Sequence, residues 1–358
     1  MTFTLGLVIV ASLAQGGQAK RLPSENLLVF RATDGKPAPV KTLDDWAKRR
    51  REIVAGMDAV MGRLPGEAKR CPLDVKTESE VDCGGYVRRL ISYASEPNSR
   101  VPAYLLVPKK PLEKGADPAP AVLALHPTDD AVGHGVVVGL GKTNYPAYAN
   151  ELAERGFVVL APSYPQLANY QPDLKALGWE SGTLKAVWDN MRGLDLLDSL
   201  PYVKPRKYGA IGHSLGGHNA IFTAVRDDRI AVVVTSCGFD RFADYYKGDE
   251  SVWKPGAGWT QGRYMPKLAD YRGRLNAIPF DFPELIGALA PRAVFVIAPL
   301  KDSNFRSESV DRAIAAARPI YELHKAGSKL WIEHPDCEHD FPKEMRGQAY
   351  RLLEVELR

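Results

Sequence analysis

Short apolar runs, separated by polar loops and by segments with helical periodicity, organise the chain from residue 86 to its end. The first two runs flank the polar turn at 96–99, which is typical of an antiparallel hairpin. The later runs are apolar throughout, as expected for strands that are buried on both faces of a sheet. The pattern predicts eight strands, at 86–93, 102–107, 121–125, 157–160, 207–212, 230–234, 293–297 and 330–332.

Segments with an apolar residue at every third or fourth position lie between the later strands and indicate helices. They span 146–155, 183–199, 217–225, 309–324 and 343–357. Strands that alternate with helices form a mostly parallel, doubly wound α/β sheet with helices on both faces. We therefore expect one α/β domain over residues 86–358.

Residues 20–85 precede this domain and contain one strong helix signal. Thr42 is followed by Asp44 and Asp45. This is typical of a helix start, because Thr caps free N–H groups and acids favour the positive end of the helix dipole. Apolar residues then continue at helical spacing to Met61. We interpret 20–85 as an N-terminal extension whose helix packs on the main domain.

A segment without clear periodicity, residues 239–285, interrupts the alternation of strands and helices. It is rich in aromatic residues, which argues against disorder, and insertions of this length often act as lids or binding loops. Aromatic rings stack on sugar faces, but they are equally typical of the hydrophobic packing of a lid. The candidate substrate contacts in this segment are Trp253, Trp259 and Tyr264.

The first residues of the chain carry an apolar stretch followed by small residues that end in Gly17-Gln18-Ala19. This pattern is typical of a secretory signal peptide, and the stretch is too short to span a bilayer. We therefore expect residues 1–19 to be removed and the protein to be secreted or periplasmic. An oxidising compartment permits a disulfide between Cys71 and Cys83, with buried free thiols as the alternative.

The composition of the 358-residue chain is that of an ordinary soluble globular protein, with 45% hydrophobic and 25% charged residues. Its formal net charge of +4 is small for this length and is not concentrated in a long Lys/Arg run. A nucleic-acid partner is therefore not expected. The four cysteines lack the C-x-x-C spacing of common zinc sites, so no structural zinc is expected either.

The clearest chemical motif is Gly212-His213-Ser214-Leu215-Gly216, which follows a predicted buried strand and precedes a predicted helix. A nucleophile elbow needs this context, because its serine lies in a strained strand-to-helix turn between small residues. A serine in a glycine-rich structural turn is the alternative. The strand, the helix and the small neighbours together favour Ser214 as a nucleophile.

A base and an acid are predicted at the carboxyl ends of later strands, where reactive groups gather in parallel sheets. Asp302 follows the seventh strand, and His339 follows the eighth. The imidazole would take the serine proton, and the carboxylate would fix the imidazole tautomer. The chain order Ser, Asp, His is that of α/β-hydrolases. Asp240, after the sixth strand, is the alternative acid, and His334 is the rival base.

Two N–H donors must stabilise the oxyanion that forms when serine attacks a carbonyl. Leu215, at the start of a helix, supplies one backbone N–H. Thr128, in the loop after the third strand, is the second candidate, because Pro127 has no N–H. His126 in the same loop is a candidate substrate contact. This loop also holds metal-ligand residue types but lacks a known metal spacing, so we expect no metal and no cofactor.

The elbow, the loop around Asp302 and the segment 338–341 resemble those of the α/β-hydrolase superfamily, specifically its dienelactone hydrolase and acetyl xylan esterase-like branch. The resemblance covers residues 86–358 and implies the α/β-hydrolase fold. Residues 279–292 also resemble the segment before the acid-bearing strand of glucuronoyl esterases. In that family Arg follows the nucleophilic serine and a Lys lies nearby, whereas this chain has Leu215 and His218.

Together these features predict a serine esterase that hydrolyses a carboxylic ester through an acyl-enzyme. The resemblance implies an acyl or methyl ester carried on a sugar or polysaccharide. A prolyl-oligopeptidase-like serine peptidase is one alternative, since it shares the fold and the residue order, but no propeller domain is recognisable here. The other is a binding protein on an inactive hydrolase scaffold, against which the intact Ser, Asp and His argue.

Overall fold

The computed structural model describes residues 21–141 and 144–358. The predicted leader at 1–19 lies outside these residues. A small antiparallel sheet of β1 (Val29–Arg31) and β2 (Pro37–Pro39) comes first and is followed by helix α1 (Leu43–Met61). Within the described ranges, no helix is both long enough and apolar enough to cross a membrane.

Nine strands of the described chain form the central sheet, one more than predicted. They are β3 (Lys76–Asp82), β4 (Tyr86–Glu96), β5 (Ser99–Pro108), β6 (Ala119–Leu125), β7 (Val158–Pro162), β8 (Val203–His213), β9 (Ile230–Ser236), β10 (Ala293–Ile297) and β11 (Leu330–Glu333). Their order across the sheet is β11-β10-β9-β8-β6-β7-β5-β4-β3. The strands from β6 to β11 are parallel, whereas β3, β4 and β5 form an antiparallel meander beside β7. The predicted mostly parallel sheet is confirmed.

The additional strand, β3, pairs with β4 at the edge of the sheet. All of its residues are exposed, and its sequence Lys-Thr-Glu-Ser-Glu-Val-Asp is almost entirely polar. A strand without a buried face shows no apolar alternation, which is why the hydrophobic pattern did not predict it. Charged side chains on such an edge also oppose pairing with another chain.

Within the described residues, six further α-helices pack on the sheet: α2 (Tyr148–Glu154), α3 (Gly182–Ser199), α4 (Leu215–Arg226), α5 (Phe282–Ala288), α6 (Ser307–Leu323) and α7 (Lys343–Leu357). The sheet separates two hydrophobic cores. In β6, Leu123 belongs to the core shared with α3 to α6, and Val122 belongs to the core shared with α2 and α7. Neighbouring strand residues point to opposite faces, so helices cover both faces as predicted.

The N-terminal extension packs against the main domain, as expected. Thr42 and Asp45 cap α1 reciprocally, each side chain accepting the backbone N–H of the other residue. Trp46 is buried in the core that α1 shares with α5. The buried Arg49 side chain also pairs with Glu284 of α5 at 2.5 Å. The extension is therefore part of the same folded unit.

The insertion predicted at 239–285 is compact, and its last residues belong to α5. Before α5 it forms short 3-10 turns, at Tyr245–Gly248, Glu250–Trp253, Gly258–Thr260, Pro266–Tyr271 and Leu275–Ala277. Phe242 lies at its centre and makes edge-to-face contacts with Trp253 and Phe280, at ring-centroid distances of 5.8 and 5.6 Å. These buried rings hold together a segment that has no regular periodicity.

Candidate active site

Ser214 lies at the junction of β8 and α4 with φ 53° and ψ −122°, a strained conformation for a residue with a side chain. Its N–H donates to the Ser236 carbonyl at 2.8 Å. A Cβ at Gly212 would lie 2.2 Å from the Gly216 backbone, and one at Gly216 would lie 1.9 Å from the Leu125 carbonyl oxygen. Only glycine fits at these two positions, and the predicted strand-to-helix elbow is present.

The turn after β10 brings Asp302 to His339, which lies in the loop between β11 and α7. The distance from His339 Nδ1 to Asp302 Oδ2 is 2.8 Å. The other carboxylate oxygen of Asp302 accepts the backbone N–H groups of Asn304 and Phe305, at 2.8 and 3.1 Å. The Asp302 side chain is 1% exposed and the His339 side chain 21%. The carboxylate is thus fixed inside the protein, while the imidazole reaches the surface.

The electrostatics of this pair keep Asp302 ionised. Burial acts to raise its pKa, but the hydrogen bond and charge of His339 together with two backbone N–H groups hold the pKa of Asp302 below its ordinary value. An ionised carboxylate accepts the proton on Nδ1 and leaves the Nε2 lone pair of a neutral imidazole free. His339 is thereby prepared to accept a proton at Nε2.

The elbow and this pair meet at one edge of the sheet. Ser214, Asp302 and His339 follow β8, β10 and β11, which run parallel, so their carboxyl ends face the same edge. The ring of His213, the residue before Ser214, lies 4.9 Å from the ring of His339. The three predicted residues therefore lie at the same edge of the sheet, and the residue before Ser214 contacts His339.

The alternative acid and the rival base have other partners. Asp240 is buried, and its Oδ2 accepts the Arg306 N–H at 3.2 Å. Burial raises the pKa of Asp240 to about 8, so the carboxyl is protonated near neutral pH. The two ring nitrogens of His334 contact a backbone carbonyl at 2.7 Å and the Asp311 carboxylate at 2.9 Å. The hydrogen bonds of Asp240 and His334 are thus made to groups other than Asp302 and His339.

The two predicted oxyanion donors lie on α4 and on the loop after β6. Leu215 is the first residue of α4, and the first N–H groups of a helix have no partner within it. Its N–H is therefore suited to an oxyanion beside Ser214. The Thr128 Oγ1 lies 3.1 Å from the hydroxyl of Tyr264, which ties the loop to the insertion.

His126 holds the same loop from inside the protein. Its side chain is buried, its Nε2 accepts the Tyr164 N–H at 2.9 Å, and its Nδ1 donates to the Pro127 carbonyl at 2.7 Å. Burial lowers the pKa of His126 to about 4, which keeps the ring in the neutral form that this pattern requires. Both ring nitrogens are occupied, so the expectation that His126 contacts substrate is corrected.

The aromatic candidates of the insertion are also buried. Trp253 is 0% exposed, and Trp259 is 5% exposed with its ring stacked on that of His218 at 4.2 Å. Tyr264 is 7% exposed, with its hydroxyl directed to Thr128. These rings form a core that supports the site. Of the two alternatives, the structure favours hydrophobic packing, and the prediction that these residues contact substrate is corrected.

Two residues at the site, Phe305 and Tyr145, received no role in the sequence analysis. The ring of Phe305 lies 5.9 Å from that of His339 and 6.3 Å from that of Trp259, so it links the insertion to the imidazole. Tyr145 lies 6.1 Å from His213, ring to ring. Phe305 follows Asp302 by three residues, and this short distance in the sequence was the only indication that Phe305 lies at the site. Tyr145 lies in a loop without any pattern that points to the site.

A cavity of about 430 Å³ opens beside His339. Besides His339, its lining residues are Asn144, Tyr145, Lys301, Ser303, Glu338 and Asp340. Lys301 on its rim pairs with the exposed Asp336 at 2.7 Å. The cavity therefore offers several hydrogen-bonding side chains next to the imidazole.

Two family models match parts of the chain that contain Ser214. "Glucuronyl esterase, fungi" matches residues 175–324, and "Dienelactone hydrolase family" matches residues 101–246. The first match also includes Asp302. His339 lies beyond both matches, so its assignment depends on the geometry described above.

Individual proteins are similar over different shares of the chain. YtaP of Bacillus subtilis, described as a hydrolase, is 24% identical over 330 residues, which is 86% of this chain and 98% of YtaP. 4-O-methyl-glucuronoyl methylesterase 1 of Sodiomyces alcalophilus is 27% identical over 138 residues, which is 35% of this chain and 27% of the methylesterase. The structure of a glucuronoyl esterase from Solibacter usitatus superposes with a TM-score of 0.73 at 18% identity, covering 95% of this chain and 100% of that one. At that identity the likeness shows the fold.

Proposed function

We propose that this chain, which is similar to dienelactone hydrolases over residues 101–246 and to glucuronyl esterases over residues 175–324, hydrolyses carboxylic esters of carbohydrates through an acyl-enzyme on Ser214. One observation carries this proposal: the strained Ser214 lies at the same edge of the sheet as a buried Asp302 that is hydrogen-bonded to His339. The matching family models and named relatives, which are esterases and hydrolases, support it.

In the acylation step, His339 Nε2 takes the proton of the Ser214 hydroxyl as the oxygen attacks the ester carbonyl. Asp302 remains ionised and stabilises the imidazolium that forms. The backbone N–H groups of Leu215 and Thr128 stabilise the oxyanion. His339 then gives its proton to the leaving alcohol, and a water molecule activated by the same imidazole releases the acid from Ser214.

The alcohol part of the ester is assigned to the cavity beside His339. The group that protonates the leaving oxygen must touch that oxygen, so the alcohol lies where the imidazole is exposed. Asn144, Ser303 and Lys301 line this cavity and can hydrogen-bond hydroxyl groups. A sugar with free hydroxyl groups suits such a surface better than a plain aliphatic alcohol does.

At position 218 this chain differs from the glucuronoyl esterase motif, because it has His218 where that motif has Lys. The His218 ring is 0% exposed and stacks between Phe222 and Trp259, both at 4.2 Å. Burial lowers the pKa of His218 to about 3, so the ring is neutral. Position 218 therefore offers substrate neither a charge nor a reachable donor, which favours acylated sugars over glucuronate esters as substrates.

A substrate panel tests this proposal. Purified protein is assayed on acetylated xylan, a methyl glucuronate ester, a feruloyl sugar ester and an aminoacyl amide, with Ser214→Ala as the blank. We expect release of acetate from the acetylated polymer to have the highest kcat/KM and the amide to be untouched. Preferred cleavage of the glucuronate ester would contradict the argument from His218, and turnover of the amide would favour a peptidase.

A further inference from the structure

Three different metal-ligand atoms converge next to the elbow, one from each of three segments. The Cys237 sulfur, a carboxylate oxygen of Asp302 and a ring nitrogen of His339 all lie within 4.8 Å of one another. Cys237 directly follows β9, and its N–H donates to the Ile297 carbonyl at 2.9 Å. Its sulfur lies 3.3 Å from the Asp340 carbonyl oxygen, which accepts the thiol proton. The thiol is thus held against the Asp302–His339 pair by backbone contacts.

This ligand set matches the chemistry of zinc. Zn²⁺ binds thiolate at about 2.3 Å and imidazole or carboxylate at roughly 2.0–2.2 Å in tetrahedral geometry. Those bonds place ligand atoms about 3.4–3.6 Å apart. Sulfur must therefore approach by about an ångström at most, and the 2.8 Å contact of Nδ1 with Oδ2 must open slightly. Such shifts are within the reach of side-chain rotations.

We propose that Cys237, Asp302 and His339 form an inhibitory Zn²⁺ site, with a water molecule as the fourth ligand. The charges balance, since a thiolate and a carboxylate neutralise the divalent ion in a largely buried position. The opening is the cavity beside His339, whose side chain is 21% exposed. The metal is an inhibitor here and takes no part in ester hydrolysis.

Zinc binding removes protons from two of its ligands, and the resulting protonation state of His339 stops catalysis. The Cys237 thiol loses its proton to solvent as the Zn–S bond forms. His339 Nδ1 must also give up its proton to bind the metal, so a neutral imidazole then carries its proton on Nε2. An imidazole protonated on Nε2 cannot accept the Ser214 proton. The ion thus competes directly with the Asp302 hydrogen bond that prepares the base.

Binding is measured first without turnover, using Co²⁺ as a spectroscopic substitute for Zn²⁺. We expect wild-type protein to bind one equivalent with tetrahedral visible bands and a near-ultraviolet thiolate-to-cobalt charge-transfer band. Cys237→Ser should lose the charge-transfer band, whereas the control Cys71→Ser should keep it. The proposal is overturned if the wild-type protein shows no charge-transfer band. It is also overturned if the band survives in Cys237→Ser, or if Cys337→Ser is the only variant that loses it.

The inhibitory effect rests on the proposed function and is measured separately. In a metal-buffered assay on a small aryl acetate, Zn²⁺ should abolish wild-type hydrolysis, and EDTA should restore it. Cys237→Ser, normalised to its own activity without zinc, should need at least about tenfold more free zinc for half-inhibition. Equal zinc sensitivity of the two proteins overturns the assignment of Cys237. An absence of esterase activity leaves the cobalt result standing and counts against the proposed function alone.

Discussion

Ser214 occupies a backbone conformation that residues with a side chain rarely adopt, and the neighbouring glycines cannot be replaced without a clash. That strain lifts the hydroxyl above the end of the sheet. His339 and Asp302 then supply a base with a fixed tautomer. At the scale of single residues, the proposed chemistry depends on this combination of a strained serine and an imidazole that a buried carboxylate orients.

The role of the orienting carboxylate can be tested by a matched pair of substitutions. Asp302→Asn should lower kcat by about three to four orders of magnitude with little change in KM, because the amide favours the wrong imidazole tautomer. Asp240→Asn should leave kcat within a few-fold of wild type, since Asp240 contacts the Arg306 N–H instead. A large loss in Asp240→Asn and a small one in Asp302→Asn would move the acid to the end of β9.

Asp240 also predicts a pH dependence of stability. Its folded pKa is raised to about 8, whereas the unfolded value is near 4. The folded state therefore holds the proton more tightly, and this contribution to stability is present below pH 4 and is lost as the pH rises to 8. Urea unfolding at pH 5 and pH 8 should show Asp240→Asn gaining stability relative to wild type at the higher pH. A difference that is independent of pH would mean that Asp240 is ionised in the folded protein.

At the scale of elements, the insertion at 239–285 supports the helix that follows Ser214 through the contact of Trp259 with His218. Phe305 continues this contact to His339. The insertion therefore stabilises the elbow and the imidazole from the same side. It acts as a wall of the site, which agrees with the burial of its large rings.

Removing the Trp259 ring should therefore affect both stability and catalysis. Trp259→Ala leaves a cavity against α4 and should cost about 3–5 kcal/mol of unfolding free energy. Turnover of a small aryl acetate should also fall, since the imidazole loses part of its support. Tyr246→Ala is the control in the same insertion, because that ring is 41% exposed and should change little. Similar melting temperatures for the two variants would show that the Trp259 contact is not structural.

The elements were predictable from the sequence to very different degrees. The buried strands, such as β6 and β10, were found because both of their faces are apolar. β3 was missed because neither of its faces is buried. Ser214, Asp302 and His339 were predicted from their positions at strand ends and from their order along the chain. The burial of Trp253 and Trp259 was not predicted, because aromatic residues without periodicity do not indicate which way their side chains face.

At the scale of the whole molecule, one sheet with a core on each face carries the site at its carboxyl edge, and the N-terminal extension is joined to this body by the buried Arg49–Glu284 pair. The leader at 1–19 lies outside the described residues, and we propose that it directs export. N-terminal sequencing of protein from its natural host should then find a chain that starts near Lys20, after Gly17-Gln18-Ala19. A mature protein that begins at Met1 or Thr2 would contradict export through this leader.

The central claim is that Ser214 attacks the ester, and the most direct measurement is kcat of Ser214→Ala against wild type on a small aryl acetate. The substitution removes only a hydroxyl, so the melting temperature should be almost unchanged. We expect kcat to fall by several orders of magnitude, about 10³-fold or more. The activity that remains would come from the oxyanion donors and from substrate binding. Near wild-type turnover by a folded Ser214→Ala protein would contradict the account.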